Sequence, residues 1–153
     1  MITADTYRRA AEARVEEARA LHEQEHYALA HYVAGLAVEC MMYAYLCRLG
    51  LPIEKHHDLI RHCSRCRFLG FLPQDGPVTL RVRAAMGDVR ARWLNNHRYR
   101  DERELLHWLQ SEARLDENVA KQKRLRHSSR KIIDAAVAVV TAGRLAWERR
   151  QLP

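Results

Sequence analysis

Apolar side chains recur every three or four residues along most of the chain, with Arg and Glu on the remaining faces, and this spacing predicts amphipathic helices. Glycine and proline interrupt the pattern at 50–52 and again in a loop at 70–77. Thr3 or Asp5 is a candidate cap for the first helix, and Asp58 is a candidate cap for the third. The pattern predicts helices over residues 4–25, 26–49, 58–68, 78–96, 101–110 and 115–149.

The same pattern predicts no sheet. Val, Ile and Thr are sparse, and they do not alternate with polar residues over the length of a strand. The predicted fold class is therefore all-α, an up-down bundle of about five main helices. Because no linker or change in composition divides the chain, we expect a single domain over 1–153.

The segment 26–49 differs from the other predicted helices because it is apolar almost all round, which is typical of a central, buried helix. Glu39 is its single carboxylate. An unpaired carboxylate in such a helix would be costly, so we expect a cationic or hydrogen-bonding partner, with Arg92 or Arg98 as candidates. Glu39 then either anchors the fourth helix to the second or orients a functional arginine.

Charge changes this picture by suggesting an acidic partner. The 153 residues contain 26 Lys and Arg against 19 Asp and Glu, a net charge of +7, which favours nucleic acid as a partner. Within the last predicted helix, one basic stretch either follows a phosphate backbone or forms a solvated face, since acidic residues flank it. The stretch consists of Lys121, Lys123, Arg124, Arg126, His127, Arg130 and Lys131.

Several classes of protein are excluded by what the sequence lacks. No apolar run attains the ~18–20 residues of a membrane span, and the Arg- and Glu-rich start predicts no signal peptide. No Gly-rich phosphate loop is present. We therefore expect a cytoplasmic protein that is not associated with a membrane.

The four cysteines do not predict a metal centre. Cys63 and Cys66 have the spacing that starts a zinc site, but no second Cys or His pair completes it. Cys40 and Cys47 lie on the apolar helix and are expected to be core thiols. We predict reduced cysteines, no metal and no cofactor.

The apolar helix and the segment after it resemble the HEPN superfamily of helical bundles. In that superfamily a buried helix contains small residues, among them a glycine, followed by a Glu-Cys pair. A short loop then leads to a His-Asp-Leu sequence that begins the next helix. Tyr43 stands where many relatives have Lys. The resemblance covers about 5–145 and implies an all-α bundle, and the matching residues are Gly35, Ala37, Glu39, Cys40, Ala44, Leu46, His57, Asp58 and Leu59.

A second stretch, RWLNNHRY, resembles the ribonuclease signature of toxin-like HEPN proteins such as the HepT group through Arg92, His97 and Tyr99. The resemblance implies a homodimer in which Arg and His line a composite site and cleave RNA without a metal. It also implies that a partner nucleotidyltransferase antitoxin attaches adenylate to the Tyr. Arg98 and Arg100 are the candidate phosphate contacts.

The chemistry of these residue types agrees with that role. Imidazole has an unperturbed pKa of about 6.5, so His97 is a candidate acid or base near neutral pH. Arg92 has a permanent charge that suits the extra negative charge on the phosphate oxygens during the reaction. On an ideal helix, however, five residues turn through roughly 500°, so the two side chains point about 140° apart. They converge only if the helix loosens at 95–96 or if a second protomer completes the site.

A competing pattern runs through the same segment. A sister group of HEPN proteins has Trp, about four residues, then Arg-Tyr, which Trp93, Arg98 and Tyr99 match while His97 is incidental. Two main hypotheses therefore remain. The chain is a metal-independent endoribonuclease toxin, or it is a non-catalytic module that binds a nucleotidyltransferase, a nucleotide or RNA. A nucleotide-binding sensor in a defence locus is a third hypothesis.

Overall fold

A computed structural model describes residues 1–73 and 76–150, and this part of the chain contains six α-helices and no β-strand. The predicted all-α fold class is confirmed. Short 3₁₀ turns at Phe68–Phe71, Asn95–Tyr99 and Lys121–Lys123 separate some of the helices. In chain order the helices are α1 (Ala4–Glu23), α2 (Tyr27–Arg48), α3 (Leu59–Arg65), α4 (Pro77–Arg92), α5 (Glu102–Ser111) and α6 (Arg124–Arg149).

The helix starts follow the predicted caps. The Thr3 hydroxyl accepts the Thr6 N–H at 3.1 Å and caps α1, so Thr3 rather than Asp5 has this role. The Asp58 carboxylate accepts the N–H groups of Ile60 and Arg61 and caps α3. Part of the predicted 70–77 loop, residues 74–75, lies outside the described residues.

Two predicted boundaries were wrong. The predicted helix 78–96 ends at Arg92, because Trp93 and Leu94 have extended backbones before the Asn95–Tyr99 turn. The predicted helix 115–149 begins only at Arg124. Upstream of it, the Asp116 carboxylate accepts the Asn118 N–H at 2.9 Å, a local bond that competes with helix formation.

The centre of the bundle is α2, which packs against α1, α3 and α6. Its approach to α6 is close, since a Cβ atom on Gly143 would lie 2.8 Å from the Met41 side chain. The Tyr45 hydroxyl donates a 2.8 Å hydrogen bond to the Gly143 carbonyl. Among the described helices, α2 is also the one that is long and apolar enough to cross a membrane. This is weak evidence for a span, because 72% of that stretch is buried, as in any core helix.

A second, smaller core closes one end of the bundle. Leu105 and Leu109 of α5 pack there against Ala28 of α2 and Leu125 of α6. The Ala28 N–H also donates to the Glu102 carboxylate at 3.0 Å, which ties the start of α2 to the start of α5. The Asn95–Tyr99 turn and the first turns of α6 are thereby brought to the same end of the molecule.

Candidate functional site

Trp93 sits at the point where α4 stops being helical, and its side chain belongs to the core. It is 3% exposed, and its indole N–H donates to the Tyr32 carbonyl at 2.9 Å. Its ring covers Gly35 so closely that a Cβ atom there would lie 2.0 Å from it. Gly35 is therefore required by the indole, and the two residues fix how α4 enters the Asn95–Tyr99 turn.

His97 points from that turn into the protein interior and is 2% exposed. Its ring lies 4.6 Å from the Trp108 ring and 6.0 Å from the His31 ring, measured between centroids. Its Nδ1 accepts the Leu94 N–H at 3.2 Å, so in the neutral ring the proton is on Nε2, which is buried and has no partner among the described residues. Burial, and then the charge of Arg100, lower the pKa of His97 to about 4. At neutral pH the imidazole is therefore uncharged.

His31 is the second imidazole at this place, and the sequence analysis did not identify it. It is fully buried in α2, where its Nε2 lies 3.4 Å from the Ser128 hydroxyl and its Nδ1 has no partner in the described part of the chain. Burial, then His97 and Arg92, lower the pKa of His31 to about 3. The signal in the sequence was a histidine within an apolar helix, but this signal did not indicate which residues His31 would contact.

Arg92, the last residue of α4, forms an ion pair along its own helix. Its Nη1 lies 3.0 Å from the Asp88 carboxylate, and its side chain is 12% exposed. Its Nε is buried and has no hydrogen-bond partner in residues 1–73 and 76–150. The charge of Arg92 contributes to the lowered pKa of His31, whose ring lies 6.0 Å from that of His97. Loosening of the helix at 95–96 was one of two expected ways for Arg92 and His97 to converge, and the helix in fact ends two residues earlier, at Trp93 and Leu94.

The outward side of the turn is formed by Arg98, Tyr99 and Arg100, which we call the Tyr99 edge. Tyr99 is 74% exposed, and the Arg98 guanidinium lies 4.6 Å from the centroid of its ring. Within the described residues, neither Arg98 nor Arg100 has a carboxylate within 4.0 Å. This edge therefore presents an aromatic face and the exposed Arg98 to solvent, with the partly buried Arg100 next to them.

The predicted partner of Glu39 was wrong. Glu39 is 1% exposed, and its carboxylate forms a 2.7 Å hydrogen bond with Nδ1 of His57 rather than with Arg92 or Arg98. His57 precedes the α3 cap Asp58, so Glu39 holds the α2–α3 loop against α2. A role for Glu39 in orienting Arg92 stays a prediction, and Arg92 itself pairs with Asp88.

The cysteines do not form a metal-binding group. All four are free thiols, and the buried Cys66 contacts the Met42 sulfur at 3.9 Å. Cys40 and Cys47 are only partly buried, and burial raises the pKa of Cys40 to about 11. Over residues 1–73 and 76–150, no group of three or more His, Cys, Asp or Glu side chains is placed to hold a metal ion.

Comparison with protein-family models gave a match that covers most of the chain. The family model described as HEPN domain matches residues 4–118, which covers α1 to α5 and the whole Asn95–Tyr99 turn. No curated protein and no solved structure matches the chain.

Proposed function

Because the chain belongs to the HEPN family, whose domain matches residues 4–118, we propose that it is an RNA-binding module that contacts RNA through the Tyr99 edge. Family membership supports a nuclease or RNA-related module in general. The observation that carries the proposal is the exposed Tyr99 ring with Arg98 packed 4.6 Å above it. An aromatic face beside cations stacks unpaired bases and binds the adjacent phosphates.

The interior side of the same turn supports this proposal. Trp93 and His97 are buried and hold the backbone from within, so Arg98 and Tyr99 project from an anchored segment. A fixed platform loses less conformational entropy when a ligand binds than a mobile loop does. In the Trp-Arg-Tyr pattern, Trp93 is then the scaffold, and the other two residues contact RNA.

The test is fluorescence anisotropy with a labelled single-stranded RNA. Tyr99→Ala should weaken binding by about 5- to 150-fold, because stacking of one base is worth about 1–3 kcal/mol. Arg98→Gln should weaken binding and lower the salt slope by about one. Arg81→Gln, which changes an exposed arginine in the second turn of α4, is the matched control. Wild-type protein that binds no RNA, or an equal loss in Arg81→Gln and Tyr99→Ala, would exclude the proposal.

A second candidate function is a metal-independent endoribonuclease, the toxin of a toxin–antitoxin pair. One observation favours it: Arg92 Nε, His97 Nε2 and His31 Nδ1 are all buried polar atoms without partners in the described part of the chain. Buried polar atoms are nearly always hydrogen-bonded, so a substrate phosphate or a second protomer is a candidate partner. In this function, a homodimer forms the composite site and a nucleotidyltransferase antitoxin acts on the exposed Tyr99.

The cleavage step in this candidate needs the turn to open, because His97 is buried. His97 then takes the proton of the 2′-hydroxyl, and the 2′-oxygen forms a bond to phosphorus. The bond from phosphorus to the 5′-oxygen breaks, and water supplies the proton to that oxygen. Arg92, released from Asp88, stabilises the charge on the phosphate oxygens.

RNA digestion in the presence of EDTA tests the second candidate. It predicts products with a 2′,3′-cyclic phosphate, loss of cleavage in both Arg92→Ala and His97→Ala, and partial recovery when the two variants are mixed as a heterodimer. Intact RNA with a wild-type protein that still binds it would contradict cleavage and leave the RNA-binding proposal in place.

A further inference from the structure

The first turns of α6 and the residue that precedes the helix carry four basic side chains on one face, which we call the α6 basic face: Lys123, Arg126, His127 and Arg130. Counted from Lys123, the others follow three, four and seven residues later, so all of them lie on the same side of the helix. With His22 and Val119 they line a concavity of about 270 Å³, and no acidic side chain is part of its lining. Neither His97 nor a residue of the Tyr99 edge is part of that lining.

The charges on this face are unfavourable for the protein alone. The start of α6 has no side-chain cap and no acidic residue in its first turn, although the positive end of the helix dipole favours anions there. Like charges three and four residues apart also repel one another. In the described part of the chain, Lys123, Arg126 and Arg130 form no ion pair, whereas Arg8, Arg14 and Arg19 of α1 are each paired with a carboxylate. A bound anion would remove this repulsion.

His22 forms the buried wall of the concavity. It is 6% exposed, and its Nδ1 is held by the Ser129 hydroxyl at 2.9 Å. Burial and then Arg130 are the main causes that lower the pKa of His22, so the wall is uncharged at neutral pH. Glu23 and Asp134 line an adjoining concavity, which shares His22 and Arg130 with this one. An anion is therefore expected on the side of Arg126 and Lys123, away from these carboxylates.

We propose that the α6 basic face is a phosphate-binding site, with Arg126 and Arg130 as the main contacts and Lys123 as a third. Guanidinium groups form paired, charge-assisted hydrogen bonds with phosphate oxygens. The ligand is a phosphate group, supplied either by an RNA backbone or by a free phosphate compound. The site does not depend on RNA binding at the Tyr99 edge.

Titration of the labelled protein with inorganic phosphate and pyrophosphate at constant ionic strength, followed by amide NMR, tests this site. Wild-type protein should show saturable shifts in residues 119–130. The double variant Arg126→Gln/Arg130→Gln should bind pyrophosphate at least about tenfold more weakly. Lys131→Gln removes a charge from an exposed position of the same helix outside the concavity, and it should bind as the wild type does.

An RNA arm distinguishes the two sources of phosphate. If the RNA backbone occupies the site, the double variant should lower the salt slope of RNA binding by about two, also in a Tyr99→Ala background. An unchanged RNA affinity with the phosphate shifts intact would assign the site to free phosphate compounds. The site is refuted if no probe shifts residues 119–130, or if Lys131→Gln weakens pyrophosphate binding as much as the double variant does.

Discussion

In the segment 93–100, some side chains face the protein interior and others face solvent, although only a few residues separate them along the chain. Trp93 and His97 are at most 3% exposed and contact core side chains, whereas Tyr99 is 74% exposed and contacts Arg98. Both family patterns recognised in the sequence run through this segment. One motif therefore combines residues that build the turn with residues that are free to contact a ligand.

The other residues of the resemblance are also explained mainly by contacts within the fold. Gly35 makes room for the Trp93 indole, Glu39 binds His57, and Asp58 caps α3. Because these contacts constrain the spacing of the residues, the spacing identifies the helical bundle of the HEPN family. It does not identify the chemistry, because a catalytic and a non-catalytic HEPN protein need the same contacts.

The largest loss of stability should follow from removing the Trp93 side chain, which holds the turn from the inner side. Trp93→Ala should lower the free energy of unfolding by about 3–5 kcal/mol, because it leaves a cavity over Gly35. Gly35→Ala should also destabilise the protein, since its Cβ would overlap the ring, and the double variant should lose less than the sum of both losses. Urea unfolding followed by circular dichroism measures this. Leu94→Ala, on an exposed neighbour, is the control, and an equal loss there would contradict the anchoring role of Trp93.

The next largest effect should be a dependence of the free energy of unfolding on pH, caused by the buried His97. An unfolded imidazole binds a proton near pH 6.5, whereas the folded one stays neutral down to about pH 4. Between these values the unfolded state binds more protons, so this stability is fully present above pH 6.5 and is lost as pH falls towards 4, by about 3 kcal/mol in total. His31, whose pKa is also lowered, acts in the same direction.

His97→Asn tests that pH dependence, because an amide oxygen can still accept the Leu94 N–H but has no proton to gain in this range. Urea unfolding between pH 7 and pH 4.5 should give a smaller pH slope for the variant than for the wild type. Identical slopes in the two proteins would show that His97 is not held neutral by burial.

A smaller effect is expected for the Glu39–His57 contact, which lies between the interior and the surface. Glu39→Gln should cost about 1–2 kcal/mol, since the amide keeps one hydrogen bond but loses the charge that faces the imidazole. His57→Ala should cost a similar amount, and a double-mutant cycle should show coupling between the two. Additive losses in urea unfolding would mean that the contact does not stabilise the loop.

The smallest effect on stability should come from the outer side. Tyr99→Ala should change the free energy of unfolding by less than about 0.5 kcal/mol, because its ring contacts mainly Arg98 and solvent. Thermal unfolding measures this, and the same preparation serves for RNA binding. A loss comparable to that of Trp93→Ala would remove the distinction between inner and outer residues.

The amino-acid sequence by itself determined the all-α class, the central position of α2, the α3 cap at Asp58 and the location of the segment that carries both motifs. These properties depend on the local spacing of apolar and capping residues, which the order of residues in the sequence shows directly. Where α4 ends, that Glu39 binds His57, and that His97 meets His31 and Trp108 were decided only by the tertiary structure. Each of these depends on residues distant in sequence that compete for the same space, so no local pattern could predict which of them would meet.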